Sequence, residues 1–173
     1  YEDYNFDGIK DFAIMDGFNS CYGGPSFKIF LASGKEFIYN DAFTDLAQNY
    51  CGMFEVDNKN RLISTMEKSG CCLHYYSDFI VENNNPKLIR TRTDDCLKAP
   101  ICTTTIEEWK GEKMTKTVTS TIDLDSEIIS DYFKFHVDKE NKDIVLCNFY
   151  DDRLCYVILD AKQNVEFYYP FEE

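Results

Sequence analysis

The chain begins with a polar stretch, Asp3-Tyr4-Asn5-Phe6-Asp7-Gly8-Ile9-Lys10-Asp11, that runs directly into Phe12-Ala13-Ile14-Met15. Oxygen-bearing side chains stand at every second position up to Asp7, a glycine follows, and a further carboxylate closes the stretch. Calcium takes about six or more oxygen ligands, and a tight loop supplies them at this spacing. The spacing therefore predicts a calcium site, whose expected ligands are Asp3, Asn5, Asp7, the carbonyl of Ile9 and Asp11.

The alternative to this metal site is a polar turn that binds no ion. The stretch is not a complete EF-hand, because the twelfth position is Ile14 rather than a glutamate. Residues 12–15 also predict a strand, whereas an EF-hand continues into a helix. The sequence thus indicates a short calcium loop attached to a strand. Such a loop indicates ion binding and stability rather than catalysis.

Short segments with the composition of strands follow one another along the rest of the chain, separated by turns of Asn, Asp and Gly. Turns at intervals of about 8–12 residues predict an antiparallel all-β meander. The predicted strands are 26–31, 37–39, 53–56, 61–66, 75–81, 87–93, 103–109, 114–122, 133–137, 143–149, 154–159 and 165–169. One short helix is predicted within residues 41–50. We expect one all-β domain over residues 1–173, β-propeller-like with a calcium loop, with a β-sandwich as the alternative.

The eight cysteines predict disulfides and an oxidising compartment, because their number is even and they lack Cys-x-x-Cys metal spacing. Proximity in sequence favours the pairs Cys96–Cys102 and Cys147–Cys155, and the other four cysteines are then expected to pair among themselves. Those four are Cys21, Cys51, Cys71 and Cys72. Adjacent Cys71 and Cys72 are expected to point to opposite faces of a strand, so that each needs its own partner.

A net charge of −13 makes nucleic acid and anionic membrane surfaces disfavoured partners. Opposite fields steer association, so a basic protein partner is favoured, although solubility explains the charge equally well. No apolar run approaches the ~20 residues of a membrane-spanning helix. Because Tyr1 stands directly before the calcium loop, we expect that a leader or a first strand was removed, and a removed lipid anchor is the expected link to a membrane.

The segment from Lys68 to Tyr76, Lys-Ser-Gly-Cys-Cys-Leu-His-Tyr-Tyr, is the candidate for function. Ser-Gly makes a tight turn, and a rigid loop loses little entropy when it docks. Tyrosine adds a large contact area and a hydroxyl group. The predicted partner-binding residues are Ser69, Gly70, His74, Tyr75 and Tyr76. The alternative is that these aromatic residues belong to the core of a strand.

No catalytic residue is predicted, and we expect the protein not to be an enzyme. A Ser-His type of site needs a base beside a nucleophile, and the histidines available for that role are His74 and His136. His136 lies in an alternating strand pattern, where a surface or packing role is expected. Acidic residues are abundant, but nothing in the sequence marks a catalytic pair of carboxylates.

Several motifs occur in an order that resembles one bacterial envelope family. They are the calcium loop, Asp16-Gly17-x-Asn19, Cys21-Tyr22-Gly23-Gly24-Pro25, Phe43-x-x-Leu46-Ala47, Tyr50-Cys51-Gly52-Met53-Phe54 and Ser69-Gly70-Cys71-Cys72-x-His74. The family comprises lipoprotein or periplasmic immunity proteins paired with peptidoglycan hydrolases of a bacteria-killing type IV secretion system. It is related to the periplasmic inhibitors of invertebrate-type lysozyme. The resemblance covers roughly residues 1–93.

The resemblance implies a calcium-stabilised β-fold in the periplasm or on an outer-membrane lipoprotein. It also implies inhibition of a basic, lysozyme-like peptidoglycan hydrolase by a loop that enters the active-site cleft. In the related inhibitors that loop has a Ser-Gly-x-x-Tyr pattern, whereas the third position after Gly70 is Leu73 here, so the match is offset. The alternative function is a calcium-dependent adhesion or glycan-binding module.

Overall fold

The computed structural model describes residues 1–170, and strands dominate it. In chain order the elements are β1 (Phe12–Ser20), a 3₁₀ turn (Cys21–Gly23), β2 (Gly24–Ser33), β3 (Glu36–Tyr39), α1 (Asp41–Gln48), β4 (Glu55–Asp57), β5 (Leu62–Ser69), β6 (Leu73–Glu82), β7 (Asn85–Lys98), β8 (Ile101–Lys110), β9 (Lys113–Ile122), β10 (Ile129–Val137), β11 (Lys142–Phe149), β12 (Leu154–Leu159) and β13 (Val165–Pro170).

The strands form three sheets, and in each sheet the hydrogen-bonded neighbours are consecutive in sequence. Their orders are β1-β2-β3, β4-β5-β6-β7-β8-β9 and β10-β11-β12-β13. This order is that of a meander, because a chain that turns back after every strand pairs each strand with the next. The all-β antiparallel prediction is confirmed. The three sheets do not establish the predicted β-propeller-like arrangement.

Helix α1 is the one α-helix among the described residues, and the prediction for residues 41–50 is confirmed. The side chain of Asn40 caps the helix by accepting a hydrogen bond from the N–H of Phe43 at 3.0 Å. Buried Thr44 ties α1 to β2, because its hydroxyl oxygen accepts from the N–H of Ile29 at 3.0 Å. No helix within residues 1–170 is long and apolar enough to span a membrane.

The residues divide into two compact units. Unit 1 contains Tyr1–Thr93 and Ile106–Lys116, and unit 2 contains Asp94–Thr105 and the chain from Thr117 onward. Each unit has its own buried apolar cluster. Unit 1 buries Tyr4, Phe6, Ile29, Leu31, Phe43, Leu46, Ala47, Phe54, Ile63 and Phe79. Unit 2 buries Ile129, Val145, Cys147, Phe149, Cys155, Val157 and Leu159. That both units belong to a single domain stays a prediction.

The turn between β6 and β7 shows how local chemistry sets strand ends. Asn83 and Asn84 have φ values of 52° and 60°, in the left-handed region that Asn tolerates better than most residues. Two consecutive residues with positive φ make the type of two-residue turn that matches the twist of a hairpin. Strand β7 therefore starts at Asn85, two residues earlier than the predicted 87–93, and it continues to Lys98.

Candidate functional site

The predicted binding loop forms the turn of the β5–β6 hairpin in unit 1. The register pairs Ser69 with Leu73, which leaves Gly70, Cys71 and Cys72 as the turn. Gly70 has φ 71°, a conformation in which a side chain on Cβ would be strained. Ser69, Gly70 and Cys71 are exposed, so the turn presents its groups to solvent. The placement of Ser69 and Gly70 at a tight turn agrees with the sequence interpretation.

The two adjacent cysteines of this turn are bonded to each other. The prediction that Cys71 and Cys72 point to opposite faces of a strand and need separate partners is therefore wrong. Both residues lie in the turn, where the backbone departs from the pleat that sends successive side chains to opposite faces. A ring closed between adjacent residues restricts the backbone rotations at the tip, which lowers the entropy that the tip can lose on binding.

Tyr22 supports the tip from outside the hairpin. It lies in the 3₁₀ turn with φ 55°, and 69% of its surface is exposed. Its hydroxyl oxygen accepts a hydrogen bond from the N–H of Gly70 at 2.7 Å. The ammonium of Lys68 lies 5.2 Å from the centre of its ring, within the range of a cation–π contact. Tyr22 thus contacts both the strand end and the turn of the hairpin.

A disulfide between Cys21 and Cys51 fixes the position of Tyr22. The N–H of Cys21 donates to the carbonyl of Tyr50 at 3.2 Å, and the N–H of Cys51 donates to the carbonyl of Met66 in β5 at 2.8 Å. The 3₁₀ turn is therefore linked through residues 50–51 to the same strand that ends at Ser69. The pairing of Cys21 with Cys51 lies within the predicted set of four cysteines.

Alternation along β6 divides the predicted binding residues between two faces of the hairpin. Tyr75 pairs with Glu67, and His74 pairs with Lys68, so Tyr75 and His74 point to opposite sides. Tyr75 is 37% exposed. Tyr76 shares the face of His74 and is half-buried, with the guanidinium of Arg92 4.3 Å from its ring centre. Ser69 and Tyr75 therefore form one group, and His74 and Tyr76 form another.

A shallow cavity of about 260 Å³ lies beside Tyr76 in unit 1. Its walls include Gly52 and Met53 from the segment that follows the Cys21–Cys51 disulfide, together with residues of β5. A smaller cavity on β5, β6 and β7 also has Tyr76 in its wall and adds Arg90 and Arg92. Tyr76 is thus shared by two adjoining recesses rather than being a fully buried core residue. The alternative interpretation, that the aromatic residues of this segment belong to the core of a strand, therefore does not hold for Tyr76.

The sequence interpretation placed Lys68 in the candidate segment but not among its binding residues, and it did not identify Tyr22 or Arg92 as parts of this region. Tyr22 contacts Gly70 across 48 positions of the chain, so no local pattern shows the pair. One indirect signal was present. Cys21 and the run Gly23-Gly24-Pro25 mark a fixed turn around Tyr22, and such a turn holds a side chain in one orientation.

The predicted calcium loop is a compact turn at the start of unit 1. The carboxylate of Asp3 accepts hydrogen bonds from the N–H groups of Asp7 and Gly8, at 3.0 and 2.8 Å. The side-chain oxygen of Asn5 accepts from the same N–H of Asp7 at 3.2 Å, and Asp7 accepts from the N–H of Ile9 at 2.8 Å. Side-chain oxygens of three predicted ligands therefore lie within one turn of backbone.

Two aromatic residues within the loop hold it to the core, because Tyr4 and Phe6 are buried in the unit 1 cluster. The loop is also tied to two other turns. The side-chain amide of Asn5 donates to the side-chain oxygen of Asn84 at 3.0 Å, and the guanidinium of Arg61 donates to the carbonyl of Phe6 at 2.8 Å. The loop thus lies against the β4–β5 and β6–β7 turns. Those turns are at the opposite end of β5 and β6 from Gly70.

Asp11 has a different environment from the other predicted ligands. It is fully buried, and its two oxygens accept hydrogen bonds from the N–H groups of Tyr4 at 2.7 Å and Ala32 at 2.8 Å. The N–H of Asp11 in turn donates to the carbonyl of Glu2 at 2.7 Å. These bonds close the loop and attach it to β2. The geometry therefore gives Asp11 a structural role.

Four of the predicted ligands have the donor type that calcium takes. Asp3, Asn5, Asp7 and the carbonyl of Ile9 supply the hard oxygen donors that calcium prefers. Within residues 1–170, no group of three or more Asp, Glu, His or Cys side chains is arranged to hold a metal ion, so Asp3, Asp7 and Asp11 do not converge as three carboxylates. A calcium ion at this loop would depend on amide and carbonyl oxygens as well as on carboxylates.

The remaining cysteines lie in unit 2. Cys96 and Cys102 form a disulfide, as predicted. Cys147 in β11 and Cys155 in β12 face each other, but both are free thiols. The prediction of a disulfide between them is therefore wrong. Both are buried, and a hydrogen bond with Cys155, together with burial, raises the pKa of the Cys147 thiol. A protonated, buried thiol packs as a small apolar residue and reacts slowly.

His136 is also in unit 2, on β10, and its surroundings explain it as a structural residue. Its Nδ1 lies 2.7 Å from a carboxylate oxygen of Asp143, the residue that faces it on β11. Asp143 also accepts from Lys134 at 2.9 Å and from Gln163 at 2.8 Å. These donors lower the pKa of Asp143 well below its ordinary value, with Lys134 the largest cause.

The sequence was compared with known proteins. No protein-family model matches it, and no curated protein matches it. Among solved structures, the chain is similar to one described as "Structure of a Xanthomonas Type IV Secretion System related protein", with 26% identity, a TM-score of 0.60 and 66% of this chain covered. The chain spans 55% of the length of that protein. It is therefore similar, in fold and modestly in sequence, to a type IV secretion system related protein.

Proposed function

We propose that this chain is a bacterial envelope protein that inhibits a lysozyme-like peptidoglycan hydrolase, in the manner of an immunity protein. The observation that carries the proposal is the β5–β6 tip, where an exposed turn is closed by the Cys71–Cys72 disulfide and held by Tyr22. A protruding tip that is already ordered loses little entropy when it enters a cleft. No catalytic role is proposed for any residue of the chain.

Three further observations support an envelope inhibitor. The chain is similar to a type IV secretion system related protein, and its disulfides suit an oxidising compartment. Its charge of −13 would steer it toward a basic enzyme. A lipid anchor on an upstream segment belongs to the same proposal.

The proposed contacts follow from the two groups of side chains at the tip. Lysozyme-like enzymes cleave glycans with acidic residues in a cleft. Ser69 can donate a hydrogen bond to such a carboxylate without adding negative charge, and Tyr75 lies on the same face of the hairpin. Gly70 allows the turn, and His74 and Tyr76 lie along the opposite face. These five residues are the proposed partner-binding set.

The calcium loop is proposed as a scaffold rather than as part of the interface. Asp3, Asn5, Asp7 and the carbonyl of Ile9 would hold the ion, whose charge would draw their oxygens together. Strand β5 has eight residues, so at about 3.3 Å per residue the loop is roughly 25 Å from the tip. At that separation the ion stabilises the end of the sheet and does not touch a partner at Gly70.

A second candidate function is a calcium-dependent glycan-binding module, and one observation favours it. One face of the β1–β2–β3 sheet carries aromatic rings in mutual contact, with centroid distances of 5.1 to 6.4 Å. These residues are Tyr1, Phe12, Phe30, Phe37 and Tyr39. Exposed aromatic rings stack on sugars, so this face is where a glycan would bind in that case.

Titration of the purified protein against lysozymes of the chicken, goose and invertebrate types tests the proposal. The readout is turbidity loss of a peptidoglycan suspension. We expect inhibition of at least one enzyme, and we expect that Ser69→Ala and Tyr75→Ala weaken it. Absence of inhibition and of binding across the panel would argue against the proposal. Binding to peptidoglycan alone, lost when calcium is chelated, would favour the glycan-binding module instead.

A further inference from the structure

We infer that the Lys68 face of the hairpin tip, with Tyr22 and His74 beside it, binds a carboxylate in the cleft of the inhibited hydrolase. This inference rests on the proposed function and adds to it the group that is recognised. It assigns the main electrostatic contact to Lys68, a residue outside the predicted binding set.

The geometry places two basic side chains together at the tip. Lys68 and His74 are directly opposite each other in the β5–β6 register, so they share one face of the hairpin. Lys68 is exposed and His74 is half-buried. Glu67 is the one acidic residue between Met66 and Tyr76, and it pairs with Tyr75, so it points to the opposite face.

Tyr22 holds the ammonium of Lys68 close to the tip. The ring centre is 5.2 Å from the nitrogen of Lys68, and the Tyr22 hydroxyl is bound by the N–H of Gly70. The Cys21–Cys51 disulfide in turn fixes the 3₁₀ turn that carries Tyr22. A lysine that rests on a ring held by a hydrogen bond loses less side-chain freedom on binding than a lysine that extends freely into water.

The tip of this face carries a positive charge at Lys68, opposite in sign to the net charge of the whole chain. A net charge of −13 guides the protein toward a basic enzyme over distances of about a Debye length. Within the cleft of a glycan-cleaving enzyme the nearest charges are carboxylates, which would repel an acidic tip. A cation at the tip removes that repulsion and supplies a charge-assisted hydrogen bond. The acidic surface therefore acts while the protein approaches the enzyme, and the basic tip acts once it is inside the cleft.

Farther along this face, two arginines lie among carboxylates that include Glu55 and Asp78. The next pair is Met66 and Tyr76, and the guanidinium of Arg92 lies over the ring of Tyr76. Beyond it, Arg90 lies 3.6 Å from carboxylate oxygens of both Asp78 and Glu108. Arg90 is thus neutralised by its neighbours, whereas no ion pair is formed by Lys68 within the described residues. Lys68 is consequently the cation of this face that a partner carboxylate meets first.

Three variants test this inference, each compared with the wild type by calorimetry and by inhibition of whichever enzyme of the lysozyme panel the wild type binds. Lys68→Met removes the charge but keeps the length of the side chain. Lys68→Arg keeps the charge. Lys59→Met removes one positive charge from the β4–β5 turn, at the other end of β5, and is the matched control.

We expect Lys68→Met to weaken binding by about tenfold or more, which is the range for loss of a charge-assisted hydrogen bond. Lys68→Arg should stay within about threefold of the wild type, and Lys59→Met within about twofold. The difference between Lys68→Met and the wild type should shrink in high salt, because salt screens the attraction between the ammonium and the carboxylate. A thermal melt should give the same midpoint for all three variants.

The failures of the two proposals are distinguishable. If the wild type binds and inhibits an enzyme while Lys68→Met matches Lys59→Met, this inference is overturned and the proposed function stands. If Lys68→Met and Lys68→Arg lose equal affinity, the contact is one of shape, and this inference is again overturned. If the wild type binds no enzyme of the panel, the proposed function fails and this inference fails with it.

Discussion

The hydroxyl oxygen of Tyr22 accepts a hydrogen bond from the backbone N–H of Gly70 at 2.7 Å, although 48 positions separate the two residues in sequence. This bond joins the 3₁₀ turn to the exposed hairpin tip. A tip that is held at its turn can act as a rigid probe, and the residue that holds it also supports Lys68. Loss of this one hydroxyl therefore tests whether rigidity of the tip matters for binding.

Tyr22→Phe is expected to weaken inhibition while leaving the fold intact. In this variant the ring and its contact with Lys68 remain. The N–H of Gly70 loses the hydroxyl as its acceptor and donates to water instead. A hydrogen bond contributes about 0.5–1.5 kcal/mol, which corresponds to a loss of up to roughly tenfold in affinity. The matched control is Tyr150→Phe, an exposed tyrosine between β11 and β12. Equal affinity for the two variants would contradict the prediction.

The Cys71–Cys72 disulfide should matter for binding more than for folding. Replacement of both cysteines by serine opens the ring and frees the turn, which costs about 1–2 kcal/mol when the tip is ordered again on docking. We expect roughly tenfold weaker inhibition and an unchanged far-ultraviolet circular dichroism spectrum. Replacing Cys96 and Cys102 by serine is the control, because that disulfide lies in unit 2. The prediction fails if both double variants inhibit like the wild type.

Calcium removal is expected to lower thermal stability and to affect inhibition indirectly. An ion present at about 100 times its dissociation constant adds about 2.7 kcal/mol to the stability of the folded state. For a chain of this size that is a fall of roughly 5–10 °C in the melting midpoint when a chelator is added.

Asp7→Asn should reduce the response to the chelator, while Asp125→Asn, an exposed change in unit 2, should keep it. Differential scanning fluorimetry with and without calcium measures both. If the melting midpoint of the wild type is the same with and without calcium, the proposed calcium site is contradicted. Loss of binding on chelation at temperatures where the fold is unchanged would contradict the scaffold role of the loop.

Asp11→Asn should destabilise the protein whether or not calcium is present. The oxygens of Asp11 accept from the buried N–H of Tyr4 and the partly buried N–H of Ala32, and an amide nitrogen in place of one oxygen leaves one of these N–H groups without an acceptor. An unpaired buried group costs about 1–3 kcal/mol. The measurement is urea denaturation in excess chelator, where the midpoint of Asp11→Asn should be lower than that of the wild type. Asp3→Asn, measured in the same chelator, should lie close to the wild type.

Asp143 should make the protein sensitive to acid. Its pKa in the folded state is lowered by Lys134, His136 and Gln163 from an ordinary value of 3.8. A group with a lowered folded pKa stabilises the fold above its unfolded pKa, and that contribution is lost as the pH falls below it.

The urea midpoint of the wild type should therefore fall as the pH is lowered from about 4 to about 2, and Asp143→Asn should show a smaller fall over the same range. Asp125→Asn, a change at an exposed carboxylate, serves as the control and should follow the wild type. A fall that is equally steep in Asp143→Asn would show that other carboxylates dominate the acid response.

Local rules predicted most of the fold. The helix at Asp41–Gln48 follows from a capping Asn40 and buried residues spaced along one face. The meander follows from turn residues at short intervals. The start of β7 was missed because the turn needs only Asn83 and Asn84, so the predicted five-residue turn was too long. The end of β7 at Lys98 was missed because Asp94 and Asp95 interrupt the alternation of apolar and polar residues.

The candidate site was predicted in part. The Ser69-Gly70 turn was expected and is present, since glycine at a turn is a local requirement. The partners of Cys71 and Cys72 were predicted wrongly, because the prediction placed them on a strand rather than in the turn. The predicted Cys147–Cys155 disulfide was also wrong, although the register does bring the two residues opposite each other. Register sets which side chains meet, and it does not by itself set their bonding.

The sequence by itself determined the strand and helix elements, the tight turn at Gly70 and the oxygen-rich loop from Asp3 to Asp11. These depend on backbone sterics and on side-chain periodicity among residues close in the chain, so they can be read from short segments. Tertiary structure alone decided that Tyr22 meets Gly70 and that the loop lies at the far end of β5 from the tip. Such contacts join residues distant in sequence, and they depend on the strand pairing and core packing of the whole of unit 1.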